Sequence, residues 1–281
     1  MEKSTFGNLK KGVKHRLHKA TYRPFSKFNM SWWQEKFYKH AAKGKEYKFA
    51  YSPQISIRFT DPQAFILSIQ ELFVDEIYKF NCATDSPYIL DCGAHIGMSI
   101  LAYKQQYPKA KIIAFEPDPH NFSLATANVN SWSYANIEII NKAIWTHNDA
   151  ITFHSTGDMG SNIIEAVPEA TNNGNLVQMP CARLKDYLHE PIDFIKMDIE
   201  GAEYEVMKDC AGHFGNVQNL FVEYHGNYDE MYKLNEILNI LTEEKFAWYI
   251  KEAGNVYSRP MYDKTKEAAY DVQLNIFAFR Q

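Results

Sequence analysis

The sequence predicts an α/β protein built on a mostly parallel β-sheet, and three observations support this. Short β-rich runs, most of them apolar on both faces, begin at residues 88, 111, 137, 194 and 220. Segments with helical spacing lie between most of these runs, and the chain of 281 residues, 46% of them hydrophobic, can bury a large core. Runs that are apolar on both faces are typical of parallel strands covered by helices.

The segments before residue 88 do not follow this alternation of strands and helices. Two extended segments within residues 45–60 flank a Ser-Pro pair, which is typical of a hairpin. Asp61 suits the N-cap and Pro62 the first turn of a following helix. Apolar residues recur at helical spacing from there to Phe80, so the helix is expected to extend that far.

The segments after the first run complete the alternation. The middle of an insertion at residues 150–181 is rich in Gly, Ser and Asn, which predicts a loop or hairpin over one end of the sheet. Further strand-like runs begin at residues 246 and 272. Helices are expected over residues 97–106, 119–130, 202–210 and 229–242.

Basic residues are concentrated at the N-terminal end. Residues 1–48 contain thirteen Lys or Arg and three Glu, a net charge of +10, whereas the whole chain carries −4. The aromatic residues among them suit peripheral contact with an anionic membrane surface or a phosphate-bearing ligand. The alternative is a solvated extension followed by a helix that packs its aromatics on the body. We divide the chain into a basic, aromatic extension with a hairpin, residues 1–60, and a second domain, residues 61–281.

Several classes of protein are not expected. No stretch approaches the ~18 consecutive apolar residues of a spanning helix, and the first thirty residues lack the pattern of a signal peptide. We therefore expect a cytoplasmic protein, with any membrane contact at the inner face. Nucleic acid is not an expected partner, because the acidic remainder would repel a long polyanion. The cysteines at 82, 92, 181 and 210 have no metal-ligand spacing, which predicts free thiols.

The first run, Tyr88–Cys92, leads through Asp91-x-Gly93-x-x-x-Gly97 into a helix. A strand, loop and helix of this kind form a nucleotide cradle, because glycines let the backbone approach a ligand and the helix N-terminus offers free N–H groups. The next run ends in Glu116, whose carboxylate can accept both hydroxyl hydrogens of a ribose at the neighbouring strand end.

The spacing of the glycines separates two classes of nucleotide ligand. A dinucleotide site needs G-x-G-x-x-G, but Asp91 occupies the first glycine position here and Ile96 the third. An Asp at the strand end is unfavourable beside phosphate and favourable beside an ammonium group. The expected ligand has a ribose and a cation without a pyrophosphate, and S-adenosylmethionine fits this description. The same spacing disfavours an NAD-dependent dehydrogenase.

Carboxylates also occur at the ends of later runs, Asp198 after the run at 194 and Glu223 within the run at 220. Ligands of open α/β sheets bind at the carboxyl ends of the strands. We therefore expect Asp91, Glu116, Asp198 and Glu223 to face one crevice.

Taken in order, several segments resemble the FkbM-type S-adenosylmethionine-dependent methyltransferases, a family within the class I methyltransferases. The resemblance extends from about Phe80 to His225, and His95 stands where the family pattern usually carries Asn. It implies a Rossmann-like, seven-stranded, mostly parallel sheet whose last strand, residues 272–279, is antiparallel to the others. The segments are ILDCGAHIG, AFEPDPHNF, NKAI, RLKDYL, which we expect to be helical, IDFIKMDIEGAEYEVM and LFVEYHG.

The resemblance also implies roles for individual residues. The turn from Gly93 to Gly97 would hold the methionine end of S-adenosylmethionine, Glu116 its ribose, and the backbone near Ala143 its adenine. The implied cofactor-binding residues are Asp91, Gly93, Ala94, His95, Gly97, Glu116, Pro117, Ala143 and Asp198. The implied catalytic residues, which would border the transferred methyl group, are Asp198, Glu200, Glu223 and His225.

Two of these residues are candidates for a general base. His225 follows a strand end, and an imidazole ordinarily titrates near ~6.5. Glu200 is the rival base. Asp198 and Glu223 could instead hold a divalent cation that lowers the pKa of an acceptor hydroxyl, although metal-free chemistry is the preferred interpretation.

Three neighbouring residues are expected to be structural. Glu203 is interpreted as a surface cap of the following helix and Lys196 as a partner in a structural ion pair. Cys181 is interpreted as ordinary packing.

The leading hypothesis is an O-methyltransferase, because members of this family typically methylate hydroxyl groups, often on sugars. The acceptor would be a small molecule or a sugar of a glycan, glycolipid or natural product. The opposing hypothesis is a non-catalytic glycan- or membrane-interaction protein that retains the fold as a scaffold. Cofactor binding separates the two, because an enzyme must bind S-adenosylmethionine and a scaffold need not.

Overall fold

The computed structural model describes residues 24–155, 175–254, 256–262 and 269–281. The chain forms two compact units, one ending at Ile77 and the other extending from Tyr78 to Gln281. The sequence analysis placed the start of the second domain at residue 61, and that boundary stays a prediction. Among the described residues, no helix has the length and hydropathy needed to cross a bilayer.

Aromatic side chains form the core of the first unit. Phe28, Tyr38, Phe49, Phe59 and Phe65 are all buried, and the rings of the last two stack with centroids 3.9 Å apart. Part of the aromatic N-terminal segment is therefore core. Residues 1–23 of the expected extension lie outside the described residues. The unit contains a 3-10 turn (Pro24–Phe28), helix α1 (Trp32–His40), the antiparallel hairpin of β1 (Tyr47–Ala50) and β2 (Ser56–Phe59), and helix α2 (Pro62–Ile69).

The hairpin was predicted correctly, and so was the start of α2, where the Asp61 carboxylate accepts the N–H groups of Gln63 and Ala64. The predicted continuation to Phe80 is wrong. After α2 the chain makes one π turn and then reaches Glu76, whose φ of 53° is left-handed and incompatible with a continuing helix.

The second unit contains a seven-stranded sheet and two smaller strand pairs. Its strands are β3 (Tyr88–Cys92), β4 (Lys111–Phe115), β5 (Ile137–Ile140), β6 (Ala143–Trp145), β7 (Ile151–Ser155), β8 (Asn175–Met179), β9 (Cys181–Arg183), β10 (Phe194–Met197), β11 (Asn219–Gly226), β12 (Ala247–Glu252) and β13 (Val272–Phe279). The order in the large sheet is β12-β13-β11-β10-β3-β4-β5. β13 is antiparallel to both of its neighbours, which confirms the predicted sheet with its antiparallel last strand.

The helices of this unit begin and end within two residues of their predicted bounds. They are α3 (Met98–Gln106), α4 (Pro119–Ser131), α5 (Glu203–Cys210) and α6 (Met231–Glu243). The segment RLKDYL forms only a 3-10 turn, Leu184–Tyr187. β7 and β8 are the antiparallel arms of the insertion, as a hairpin requires, and residues 156–174 between them lie outside the described residues. All four cysteines are free, and Cys181 is buried in the core, as predicted.

Candidate active site

The carboxylates that were predicted to share a crevice lie along one edge of the large sheet, where β4, β3, β10 and β11 are parallel neighbours. Lys196 Nζ lies 3.7 Å from Asp91 Oδ1 and 3.2 Å from Asp198 Oδ2. Glu223 Oε1 lies 3.8 Å from His225 Nε2. The remaining carboxylate, Glu116, directly follows β4 and accepts a hydrogen bond from the His95 N–H in the turn after β3.

Left-handed backbone shapes the turn after β3. The φ angles are 92° at Gly93, 49° at His95 and 88° at Gly97. Asn and His adopt this conformation more readily than most residues, which explains how His95 can stand where the family pattern has Asn. A Cβ on Gly93 would overlap the backbone carbonyl oxygen of Asp198. The turn therefore lies directly against the loop after β10, and only glycine fits there.

Asp91 and Lys196 form a buried charged pair next to this turn. Asp91 Oδ2 accepts a hydrogen bond from Ser99 Oγ at 2.5 Å, while Oδ1 has no hydrogen-bond partner. Burial acts to lower the pKa of Lys196, but the charges of Asp198 and Asp91 outweigh it, so the pKa is raised and the ammonium stays charged. The structural role of Lys196 is confirmed. Asp91 is fully buried, and its contact with a ligand ammonium stays a prediction.

Glu116 links the ends of β3 and β4. Its Oε2 accepts the N–H of His95 at 2.7 Å, and its Oε1 accepts the N–H of Asp118 at 3.0 Å. A carboxylate has about four acceptor positions, so two remain for the hydroxyl groups of a ribose. Burial raises the pKa of Glu116 to about 7, although the two backbone hydrogen bonds oppose this shift. These groups fit the ribose of S-adenosylmethionine.

The residues near the expected adenine position belong to the segments after β4 and β5. Asn141 Nδ2 donates to the carbonyl oxygens of Glu116 at 2.8 Å and Pro117 at 3.0 Å, which fixes the loop after β4. The Ala143 N–H donates to the Pro180 carbonyl oxygen at 2.9 Å. The adenine contact of Ala143 stays a prediction. The sequence analysis assigned no role to Asn141, although this residue directly follows β5, the strand next to β4 and Glu116.

His225 is surrounded by carboxylates at the end of β11. Its Nδ1 lies 3.1 Å from Glu203 Oε1, and its Nε2 lies 3.9 Å from Glu200 Oε2. Burial acts to lower the pKa of His225, but the hydrogen bond and charge of Glu203 and the charges of Asp198 and Glu200 raise it to about 10. The imidazole is therefore protonated at neutral pH, which makes it a poor general base.

Glu203 is not the surface cap that the sequence suggested. Its side chain is only 1% exposed, and it accepts the N–H groups of Ile199 and Gly201 while it contacts His225. A buried imidazolium needs a counter-charge, and this carboxylate supplies it from the first turn of α5.

Glu200 differs from the other acids in its exposure. Its side chain is 48% exposed, and its backbone has a left-handed φ of 55°. The Tyr270 hydroxyl donates to the Glu200 carbonyl oxygen at 2.7 Å, which holds this turn in place. Partial burial raises the pKa of Glu200 to about 7, although the charge of His225 opposes the shift. Of the two candidate bases, Glu200 is the accessible one that titrates near neutral pH.

Asp198, Glu200 and His225 each offer a ligand atom within 4.8 Å of the others, a spacing that could hold a metal ion. Two protein cations already lie beside these carboxylates, the Lys196 ammonium next to Asp198 and the His225 imidazolium next to Glu200. A metal ion at this place would compete with both of these cations for the carboxylates. The metal-free interpretation and the alternative of a cation between Asp198 and Glu223 both stay predictions.

Asn275 on β13 is a further site residue that sequence reasoning missed. It lies opposite Glu223 in the antiparallel register, it is 6% exposed, and its Oδ1 has no hydrogen-bond partner. Side chains directly opposite each other in such a pair have Cβ atoms about 4.5–5.5 Å apart, so the Asn275 amide and the Glu223 carboxylate are neighbours. The predicted antiparallel last strand could have pointed to Asn275, because such a strand brings polar residues beside the end of β11.

The chain is similar to several known methyltransferases. Methyltransferase 1 of Beauveria bassiana is 26% identical over 176 residues, which cover 55% of this chain and 71% of that protein. The 2-O-methyltransferase NoeI of Sinorhizobium fredii is 27% identical over 174 residues, with coverage of 55% and 71%. A crystal structure of an FkbM methyltransferase from Methylobacillus flagellatus KT has a TM-score of 0.48 and 19% identity, and the match covers 76% of this chain and 48% of that one. Residues 91–256 match the family described as the Methyltransferase FkbM domain. Because that match spans more than half of the chain, this protein belongs to the FkbM methyltransferase family.

Proposed function

We propose that this protein is an S-adenosylmethionine-dependent O-methyltransferase that acts on a sugar hydroxyl of a glycan, glycolipid or natural product. The observation that carries the proposal is the accessible Glu200 carboxylate, next to the buried His225. A sugar hydroxyl is a poor nucleophile at neutral pH, so its proton must leave during attack. A base with a pKa near 7 is well matched to this task, and the pKa of Glu200 is about 7.

The cofactor site is built mainly from the ends of β3 and β4. When bound, S-adenosylmethionine supplies a sulfonium methyl group that an oxygen nucleophile attacks in line. Glu116 would hold the ribose with its two remaining acceptor positions, and the turn from Gly93 to Gly97 would hold the methionine end. Positioning can contribute about 7–11 kcal/mol to lowering the barrier, whereas a general base typically contributes a factor of about 10²–10⁴.

Near the expected place of the hydroxyl to be methylated, the protein offers several oxygen atoms that can accept hydrogen bonds. Glu223 and Asn275 lie opposite each other on β11 and β13, and the Asn275 oxygen is buried without a donor. An acceptor with several neighbouring hydroxyl groups, such as a sugar, could donate to Glu223, whose side chain is 20% exposed, while Glu200 receives the proton of the reacting hydroxyl. NoeI is by name a 2-O-methyltransferase, which supports oxygen as the atom methylated.

The test combines cofactor binding with turnover. The chain is incubated with labelled S-adenosylmethionine and a panel of sugar nucleotides and lipid-linked sugars, and methyl ethers are detected by mass spectrometry. Glu200→Gln should lower turnover by about 10²–10⁴ while the affinity for S-adenosylhomocysteine, measured by calorimetry, stays unchanged. Glu205→Gln, a second carboxylate nearby on α5, is the matched control and should keep full turnover.

Two results would assign another role. If Glu200→Gln and His225→Ala both keep near-normal turnover and EDTA abolishes it, the base assignment is wrong and the metal alternative replaces it. If the native chain does not bind S-adenosylhomocysteine, the protein is better described as a non-catalytic glycan- or membrane-interaction protein on this scaffold.

A further inference from the structure

The outer face of helix α1 carries apolar and basic side chains exposed to solvent. Residues 33, 36, 37 and 40 lie on one side of the helix, because residues three and four apart are neighbours on a helical surface. Trp33 is 75% exposed and Phe37 is 58% exposed. The four side chains, which we name the α1 outer face, are Trp33, Lys36, Phe37 and His40, and all four are exposed.

The opposite side of α1 is anchored in the first unit. The buried Tyr38 ring lies 5.2 Å from Phe59 and 5.9 Å from Phe65, measured between ring centroids. Ser31 and Gln34 form a capping box that fixes the start of the helix. The exposure of Trp33 and Phe37 is therefore a property of the folded unit and not of a frayed helix.

Lysines are frequent in the chain segment that contains this helix, and two of them are paired with carboxylates, Lys39 with Glu35 and Lys43 with Asp61. Residues 24–48 contain six lysines and two glutamates, and all six lysines are exposed. The Lys36 ammonium lies 3.9 Å from the ring centroid of Trp32. Tryptophan and phenylalanine beside lysines are typical of helices that lie in a membrane interface, where the rings enter the headgroup region and the ammonium groups contact lipid phosphates.

We propose that the α1 outer face docks this protein on the surface of an anionic lipid bilayer. The nine residues of α1 are too few to span a membrane, so the helix would lie in the plane of the interface. Charge complementarity selects this occupant, because residues 1–48 carry +10 whereas residues 49–281 carry −14. A bilayer can take the Trp33 and Phe37 rings into its interface while its anionic headgroups contact the lysines.

The test uses the full chain and sedimentation with vesicles. Vesicles of phosphatidylcholine with phosphatidylglycerol should bind the protein, vesicles of phosphatidylcholine alone should bind it much less, and added salt should weaken the binding. The double variant Trp33→Ser with Phe37→Ser should lower the partition coefficient at least about tenfold, because two aromatic rings are no longer transferred from water into the bilayer interface. Its thermal unfolding should be unchanged, since neither ring belongs to the core.

Tyr249→Ser is the matched control, because this aromatic side chain is 64% exposed but lies on β12 in the second unit. It should leave vesicle binding as it is. The proposal is overturned if the native chain does not bind anionic vesicles, if the double variant binds them normally, or if Tyr249→Ser causes an equal loss. Binding to an oligonucleotide with no vesicle binding would assign the face to nucleic acid instead. These results do not depend on methyl transfer.

Discussion

Glu116 connects pH to cofactor binding. Its pKa of about 7 means that the carboxylate becomes protonated as the pH falls through neutrality, and the protonated form cannot accept both ribose hydroxyls. We expect the affinity for S-adenosylhomocysteine to fall about tenfold from about pH 8 to about pH 6, measured by calorimetry.

In Glu116→Gln the affinity at about pH 8 should be weaker by about 1.5–3 kcal/mol, and most of the pH dependence should vanish. Lys142→Gln is a suitable control, because this lysine directly follows Asn141, which bonds the Glu116 carbonyl oxygen, but has no assigned contact with the ribose. A Glu116→Gln variant with the same pH profile as the native chain would contradict the role of this carboxylate.

The His225–Glu203 pair links pH to stability. The pKa of His225 is raised from 6.5 to about 10, so the stabilisation is fully present below pH 6.5 and is lost as the pH rises through about 10. The free energy of unfolding, measured by urea titration at several pH values, should therefore fall over this range.

Glu203→Gln should lose much of that slope. At neutral pH we expect it to be less stable by about 3 kcal/mol, the lower end of the range for a broken buried pair, because Glu200 and Glu223 remain near the imidazole. Glu205→Gln, from the same helix, should change stability by less than about 0.5 kcal/mol. An unaltered slope in Glu203→Gln would show that this pair is not the source of the pH dependence.

The turn between β3 and α3 depends on a glycine that has no space for a side chain. Gly93→Ala should destabilise the protein by about 2–5 kcal/mol, which combines about 1–2 for the left-handed backbone and about 1–3 for the overlap with the Asp198 carbonyl oxygen. Cofactor binding should be lost as well.

Gly212→Ala measures the cost of the left-handed backbone without the cost of the overlap. Gly212 has a φ of 79°, but a Cβ there would meet nothing within 4 Å, so only the backbone cost applies. Chemical unfolding of both variants gives the comparison. Equal destabilisation would mean that the loop after β10 yields to the new methyl group.

Elements with a local pattern were predictable, and those that depend on distant partners were not. β3 and β10, at the centre of the large sheet, are mostly apolar runs, and their burial on both faces follows from that pattern. β6 and β9 contain three residues each, too few for a periodicity, and they exist because they pair with each other.

The same distinction holds in the site. The strand-end acids were predictable, because parallel strands bring their carboxyl ends to one edge. The burial of Glu203 and the protonation of His225 arise from a contact between α5 and β11, and Asn275 reaches the site only through the register of β13. No local pattern contains these contacts.

At the scale of the whole molecule, β13 holds one side of the sheet together, because it pairs with β11 over eight residues and with β12 over six. Ile276, fully buried, lies between Val222 and Ile250. Ile276→Pro should prevent folding, since proline removes a ladder hydrogen bond in an interior strand. Ile276→Val should fold and lose about 0.5–1.5 kcal/mol. Circular dichroism and solubility provide the measurement, and a soluble, native-like proline variant would contradict this role.

The late position of β13 also affects how the protein is made. β12 and the outer edge of β11 have no ladder partner in the described sheet until residues 272–279 emerge from the ribosome. At about 5–20 residues per second, the stretch from Glu252 to Phe279 takes about 1–5 s to synthesise. During those seconds the nascent chain exposes two open strand edges, which are templates for pairing with other chains. The yield of folded protein should therefore depend on translation speed and on chaperones that cover β11 before its antiparallel partner arrives.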